Sequence, residues 1–201
     1  GSMYDENKLP LAVKAFKLLA DELDETDTVS IVTYAGSDLI ALDGVAGDHR
    51  KEIIDTLEGL KAYGYTNGSG GIISAYEQAE KYFIEGGNNR VILATDGDMN
   101  VGLTSEEALT GLITEEKAAG ISLSVLGFGN DNLKDNKLEA LADNGDGNYA
   151  FIDSVYEAKK VLVDDMGGTL VTVAKDVKIQ VDFNAETVES YRLIGYENRD
   201  V

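Results

Sequence analysis

The sequence places a carboxylate and a hydroxyl where a fold would present them to a ligand. Asp96 follows the apolar run Arg90-Val91-Ile92-Leu93-Ala94-Thr95, which reads as a parallel strand covered on both faces. Thr66 lies in the glycine-rich stretch Gly64 to Gly71, ahead of a helix carrying Ile72, Ile73, Tyr76, Ala79 and Tyr82. Ligands of open α/β sheets bind beyond the carboxyl ends of the strands, so both residues belong to one rim. A carboxylate ending a buried strand is costly without a partner, and a hydroxyl beside a carboxylate suits a divalent cation. The plainer readings are a turn cap through Gly97 for Asp96 and a local turn hydrogen bond for Thr66.

Composition narrows the chemistry. The chain has no cysteine and one histidine, His49, so thiolate and multi-histidine metal sites are excluded and any metal must be held by oxygen. Oxygen ligands suit Mg²⁺, Mn²⁺ or Ca²⁺. Gly127-Phe128-Gly129 hints at a dinucleotide loop, but Asn132 stands where the third glycine is needed and the flanking residues are acidic. The acidic groups around Asp131 to Asn136 and Asp143 to Asp146 lack the calcium-loop spacing and read as solvated turns. Nucleophile-elbow, zinc-protease and phosphate-loop motifs are all absent, so binding is expected rather than catalysis. With 37 acidic and 17 basic residues the formal charge is −20, which disfavours nucleic acid and anionic bilayers. No apolar run reaches the length of a membrane span.

The elements that must position these residues alternate between the two periods. Pro10 to Leu23 has helical spacing with the proline suited to its first turn. Thr28 to Tyr34 and Leu39 to Leu42 read as a hairpin, and His49 to Leu60 as a helix. After the Asp96 strand, Ser105 to Ala119 predicts a helix closed by Gly120, and Ile121 to Phe128 a second buried strand. A short helix over Lys137 to Ala142, a strand over Asn148 to Ile152 and a helix over Ser154 to Met166 complete the rhythm. The expected fold class is α/β: a doubly wound, mostly parallel sheet flanked by helices, with strands at the C-terminus. There Val177 to Phe183 alternates strictly and Tyr191 to Tyr196 follows without a helix between, so residues 176–201 read as the start of a β-rich region.

Thr95-Asp96-Gly97 with Asn100 four residues after the aspartate, Tyr65-Thr66-Asn67 before a helix, and the helix-strand order between them resemble the von Willebrand factor A domain. The resemblance covers about residues 1–175, and Tyr191 to Arg199 is similar to the continuation seen in bacterial members. In that family a metal-ion-dependent adhesion site is built from an Asp-x-Ser-x-Ser motif after the first strand, a threonine and an aspartate. The resemblance puts Thr66 on the threonine and Asp96 on the aspartate. Family members of this type read Asp-x-Ser-Gly-Ser-Met before the first helix. The chain opens on Gly1-Ser2-Met3, which makes Ser2 the second motif serine if these residues are native.

The resemblance therefore implies a metal set of Ser2, Thr66 and Asp96, with Mg²⁺ (or Mn²⁺ or Ca²⁺) engaging an acidic group of a protein ligand. It also implies a domain over 1–175 without its first strand and without the motif aspartate, so metal binding in this chain is expected to be weak or absent. A strand borrowed from a neighbouring chain is one way to fill the central position, with Val177 to Phe183 a candidate. The parent protein is expected outside the cytoplasm or on the cell surface, with no membrane insertion of this segment. The rival readings are a metal-free structural or assembly scaffold and a metal-assisted hydrolase using the same rim, with Asp98 the nearest general base.

Overall fold

A computed structural model describes residues 2–34, 40–63, 68–97, 106–129 and 135–165, together with 182–184, 186–188 and 190 near the C-terminus. Among the described residues five strands and six helices follow in the order α1 (Leu9–Glu22), β1 (Thr28–Val32), β2 (Ile40–Ala46), α2 (Arg50–Gly59), α3 (Gly68–Lys81), β3 (Asn89–Thr95), α4 (Glu106–Ala119), β4 (Ile121–Phe128), α5 (Asp135–Asn144), β5 (Tyr149–Ile152) and α6 (Val155–Lys159). A short 3₁₀ turn, Ser2–Tyr4, precedes α1, and a π-helical stretch, Lys160–Asp165, continues α6. By contacts the chain divides into Gly1–Val171 and Thr172–Val201. The strands expected within 177–183 and 191–196 lie almost wholly outside the described residues.

The termini of these elements follow local chemistry. Pro10 enters α1 in its first turn, where its missing N–H is an orphan donor in any case. The Ser154 hydroxyl accepts the Glu157 N–H at 3.2 Å and caps α6. Gly120 ends α4 at φ +95, the left-handed conformation that glycine takes most readily.

The parallel strands β3, β4 and β5 form one sheet in that order, with Val91 opposite Leu123 and Leu126 opposite Ala150. Its two faces are covered separately, which is the doubly wound arrangement. Ile72 and Tyr76 of α3, Leu109 and Ile113 of α4, and Leu138 of α5 pack with Val91, Leu93, Leu123 and Val125 on one face. Leu11, Ala12 and Ala15 of α1, with Ala158 of α6, Val161 and Leu162, cover Leu126, Phe128 and Ile152 on the other. Burial on both faces is why 91–94 of β3 and 125–128 of β4 read as continuous apolar runs.

The antiparallel pair β1–β2 is a second sheet, carried by Ala20 of α1 and by Ile53 and Leu57 of α2 against Leu42. Between β1 and β3 lies a cleft of about 640 Å³, bordered by Val29 to Val32 on one side and Val91 to Ala94 on the other. Phe16 of α1 and Ile72 of α3 also line it. Side chains bridge this seam. The Ser30 hydroxyl donates to Gln78 Oε1 at 3.1 Å, and the Tyr34 hydroxyl donates to the Ala94 carbonyl at 2.7 Å.

One polar side chain in α4 is poorly served. Glu116 is 7% exposed, and among the described residues its Oε2 finds no hydrogen-bond partner. Burial raises its carboxyl above the ordinary 4.5, and the nearby charges of Glu80 and Glu115 push it the same way. A raised folded-state value means that the charged form destabilises the fold. That penalty is full at neutral pH and is relieved as pH falls through the folded value towards 4.5. Replacing Glu116 with Gln is therefore expected to stabilise the protein at pH 7, with the gain shrinking near pH 4. Urea unfolding of both proteins at the two pH values checks this; a loss of stability at pH 7 would refute it.

Candidate functional site

The carboxyl ends of β3 and β4 and the approach to α1 meet at one rim. β3 stops at Thr95, and Asp96 turns away from the sheet with its side chain 4% exposed. Gly97 follows at φ +84, and its N–H donates to the Thr95 hydroxyl at 3.2 Å. This turn fixes where the Asp96 carboxylate points. Tyr34, after β1, sits beside it because α3 approaches closely at Gly71, where an added Cβ would fall 2.3 Å from Tyr34 Cβ. Burial pushes the Tyr34 phenol up to about 12; a hydrogen bond with Thr95 opposes the shift, and the Asp96 charge adds to it.

The Asp96 carboxylate is met by a cation from the chain itself. Lys8 Nζ donates to Asp96 Oδ2 at 3.2 Å and to the Ser2 carbonyl at 3.0 Å, while Asp5 Oδ2 lies 3.9 Å away. The stem of Lys8 runs over Gly129, just past β4, where φ is +99 and an added Cβ would fall 2.9 Å from Lys8 Cε. Gly127-Phe128-Gly129 thus does structural work at the rim: Phe128 is fully buried under α1, and Gly129 leaves room for the lysine.

The sequence-derived residues are placed as follows. Ser2 is in the 3₁₀ turn, exposed, and its carbonyl is joined through Lys8 to Asp96. Thr66, Asp98 and Asn100 lie outside the described residues. Lys8 was missed by the reading of motifs, although a signal exists. A lysine immediately before α1 stands at the positive end of the helix dipole, where a cation is disfavoured, so its position calls for an acidic partner elsewhere.

The residues present fit a hard cation. An oxygen from Ser2 and one from Asp96 already converge within about 3 Å of a single positive atom, and both are the donor type that divalent ions prefer. Among the described residues no three His, Asp or Glu side chains come together into a cage. Hydroxyl and carbonyl oxygens would have to complete the sphere. No helix of the described residues is long and apolar enough to cross a membrane.

Comparison with known proteins accords with the arrangement. Residues 1–165 match the family model of the von Willebrand factor type A domain, and 168–201 match that described as "Uncharacterized protein YfbK, C-terminal". The chain is 46% identical over 201 residues to uncharacterized protein YfbK of Escherichia coli (strain K12), and spans 35% of that protein's length. Among solved structures it is similar to an aerotolerance-related membrane protein of Bacteroides fragilis, with TM-score 0.66, 19% identity, and coverage of 83% of this chain and 94% of that one. It is similar also to BatB of Bacteroides thetaiotaomicron, with TM-score 0.65, 21% identity and the same coverage. A von Willebrand factor type A protein of Catenulispora acidiphila gives TM-score 0.67 at 19% identity, over 85% of this chain and 39% of that one. With the doubly wound sheet, the rim at Asp96 and a family match over most of its length, the chain belongs to the von Willebrand factor type A domain family.

Proposed function

We propose that this domain binds a protein partner through a divalent cation held at the rim, the partner supplying an acidic group to the ion. Domains of this family are generally protein-interaction modules. The observation that carries the metal-dependent reading is the convergence of the Ser2 carbonyl and the Asp96 carboxylate on one cationic atom at the carboxyl end of the sheet. In this reading Asp96 and Ser2, with Thr66 as the resemblance implies, hold Mg²⁺ or Mn²⁺. When bound, the ion supplies a Lewis-acidic position that a partner's carboxylate completes. Asp96 contributes the charge, and the turn through Gly97 holds it in place. A net charge of −20 does not oppose this, because a metal inverts the field locally.

Calorimetric titration with Mg²⁺ and Mn²⁺ tests the reading. The expected result is binding that weakens about 100-fold or more in Asp96→Asn, since loss of a direct ligand should exceed the effect of an outer-sphere change. The expected affinity is millimolar or weaker in the chain as it stands and higher once an apolar strand ending in Asp-x-Ser is joined ahead of Gly1. Absence of binding in both forms would favour a metal-free scaffold. Phosphoester turnover lost in Asp96→Ala would favour a hydrolase.

We also read the full-length protein as extracytoplasmic or surface-exposed. The similar protein from Bacteroides fragilis is described as a membrane protein. Proteolysis of intact cells that left the domain untouched would count against this placement.

A further inference from the structure

We propose that Lys8 is a built-in counter-cation of the rim: its ammonium occupies the divalent ion's place on Asp96 and has to be displaced before the ion binds, which sets the site's metal affinity. This rests on the metal-dependent reading above and concerns how that site is regulated.

Lys8 Nζ takes Asp96 Oδ2 at 3.2 Å and the Ser2 carbonyl at 3.0 Å, so the carboxylate expected to serve the metal already serves a charge. The side chain of Lys8 is 19% exposed and that of Asp96 is 4% exposed. Two opposite charges removed from water in this way hold each other, because separating them leaves an uncompensated charge in a poorly solvated place. An ammonium is a compact point charge with three donors and no acceptor, close in role to a small metal ion. It cannot remain among the same oxygens as a divalent cation, since like charges a few ångströms apart near a protein surface repel strongly.

The placement of Lys8 supports this role over a capping one. It precedes the first turn of α1, makes no side-chain cap, and stands at the end of the helix where positive charge is disfavoured. Its stem is guided instead across Gly129, whose missing side chain and φ of +99 keep the path open. Chain segments far apart in sequence thus cooperate to deliver one ammonium to Asp96.

The test compares the 201-residue chain with Lys8→Met, Lys8→Arg and Asp96→Asn, reading Mn²⁺ affinity by electron paramagnetic resonance and the thermal midpoint in EDTA and in Mn²⁺. Lys8→Met is expected to melt lower than the parent in EDTA, because Asp96 loses its counter-charge. It should bind Mn²⁺ about tenfold or more tightly, and saturating Mn²⁺ should raise its midpoint by more than it raises the parent's. Lys8→Arg, which keeps the charge, should stay near the parent. Lys8→Gln serves the same comparison if Lys8→Met does not fold.

Equal or weaker Mn²⁺ binding in Lys8→Met overturns the proposal. If Asp96→Asn still abolishes binding in that case, the metal-dependent reading stands without it. If none of the proteins binds Mn²⁺, the proposal falls, and the metal-dependent reading is decided by titration of the strand-extended form.

Discussion

Joining an apolar strand that ends in Asp-x-Ser ahead of Gly1 is expected to raise the thermal midpoint by about 10 °C. The cleft between β1 and β3 is bordered by two strands that belong to different sheets and is lined by apolar side chains from α1 and α3. A strand seated there would bury both of its faces. Each fully buried Val, Leu or Ile contributes about 1.5–3 kcal/mol, and each backbone hydrogen bond about 0.5–1.5 kcal/mol net. Ordering opposes this by about 1–2 kcal/mol per residue. Burial and pairing together outweigh the ordering cost, and a domain of this size moves about 2–4 °C per kcal/mol of net gain. Differential scanning calorimetry measures the shift. An equal shift from a polar extension of the same length, or none from the apolar one, would show that the cleft does not accept a strand.

Phe128→Ala is expected to destabilise the chain by about 3–5 kcal/mol. The ring is fully buried at the end of β4, packed with Leu11, Ala12 and Ala15 of α1 and with Leu162 beyond α6. Its removal leaves a cavity between helices whose positions are fixed by other contacts, so little collapse can relieve it. Against a total stability of about 5–15 kcal/mol the loss is large. Urea unfolding should show a lower midpoint with an unchanged slope. A loss below about 1 kcal/mol would mean that this face of the sheet is not the core that α1 and α6 make it.

Much of the fold was legible in the sequence because the decisive signals are local. The runs 91–94 and 125–128 are apolar since helices cover both faces of β3 and β4. Ser154 starts one helix through its hydroxyl and Gly120 ends another through its left-handed φ, each by chemistry confined to a few residues. The end of β2 was less legible. Gly44 reads as a breaker, yet the strand continues to Ala46, because that glycine sits at φ +61 against the Tyr82 ring, where an added Cβ would collide with the aromatic carbons. The π-helical turn after Lys159 left no mark either: apolar spacing in so short a stretch does not separate one helical period from another.

The rim divides in the same way. Asp96 stood out as a carboxylate closing an apolar strand and Thr66 as a hydroxyl in a glycine-rich loop before a helix, whereas Ser2 acquired its role from resemblance. Lys8 escaped notice because its partner is 88 residues away. Nothing within one helical turn of a lysine announces such a contact. What the sequence does contain is a disagreement with the helix dipole, and such disagreements are where a functional site first becomes visible.

The seam between the two sheets also governs how the molecule comes apart. The β1–β2 hairpin rests on a small cluster of its own, Ala20, Leu42, Ile53 and Leu57, while the sheet of β3, β4 and β5 is enclosed by the two larger clusters. No strand of the described residues belongs to both sheets, so opening one does not require breaking the ladder of the other. Cooperativity between the halves is carried by α1, by α3, which packs on β1 and β3 alike, and by a few side-chain bridges, so the hairpin with α2 is the part expected to open at lower free energy. One free energy of unfolding then describes the chain less well than two, one for each sheet with its helices.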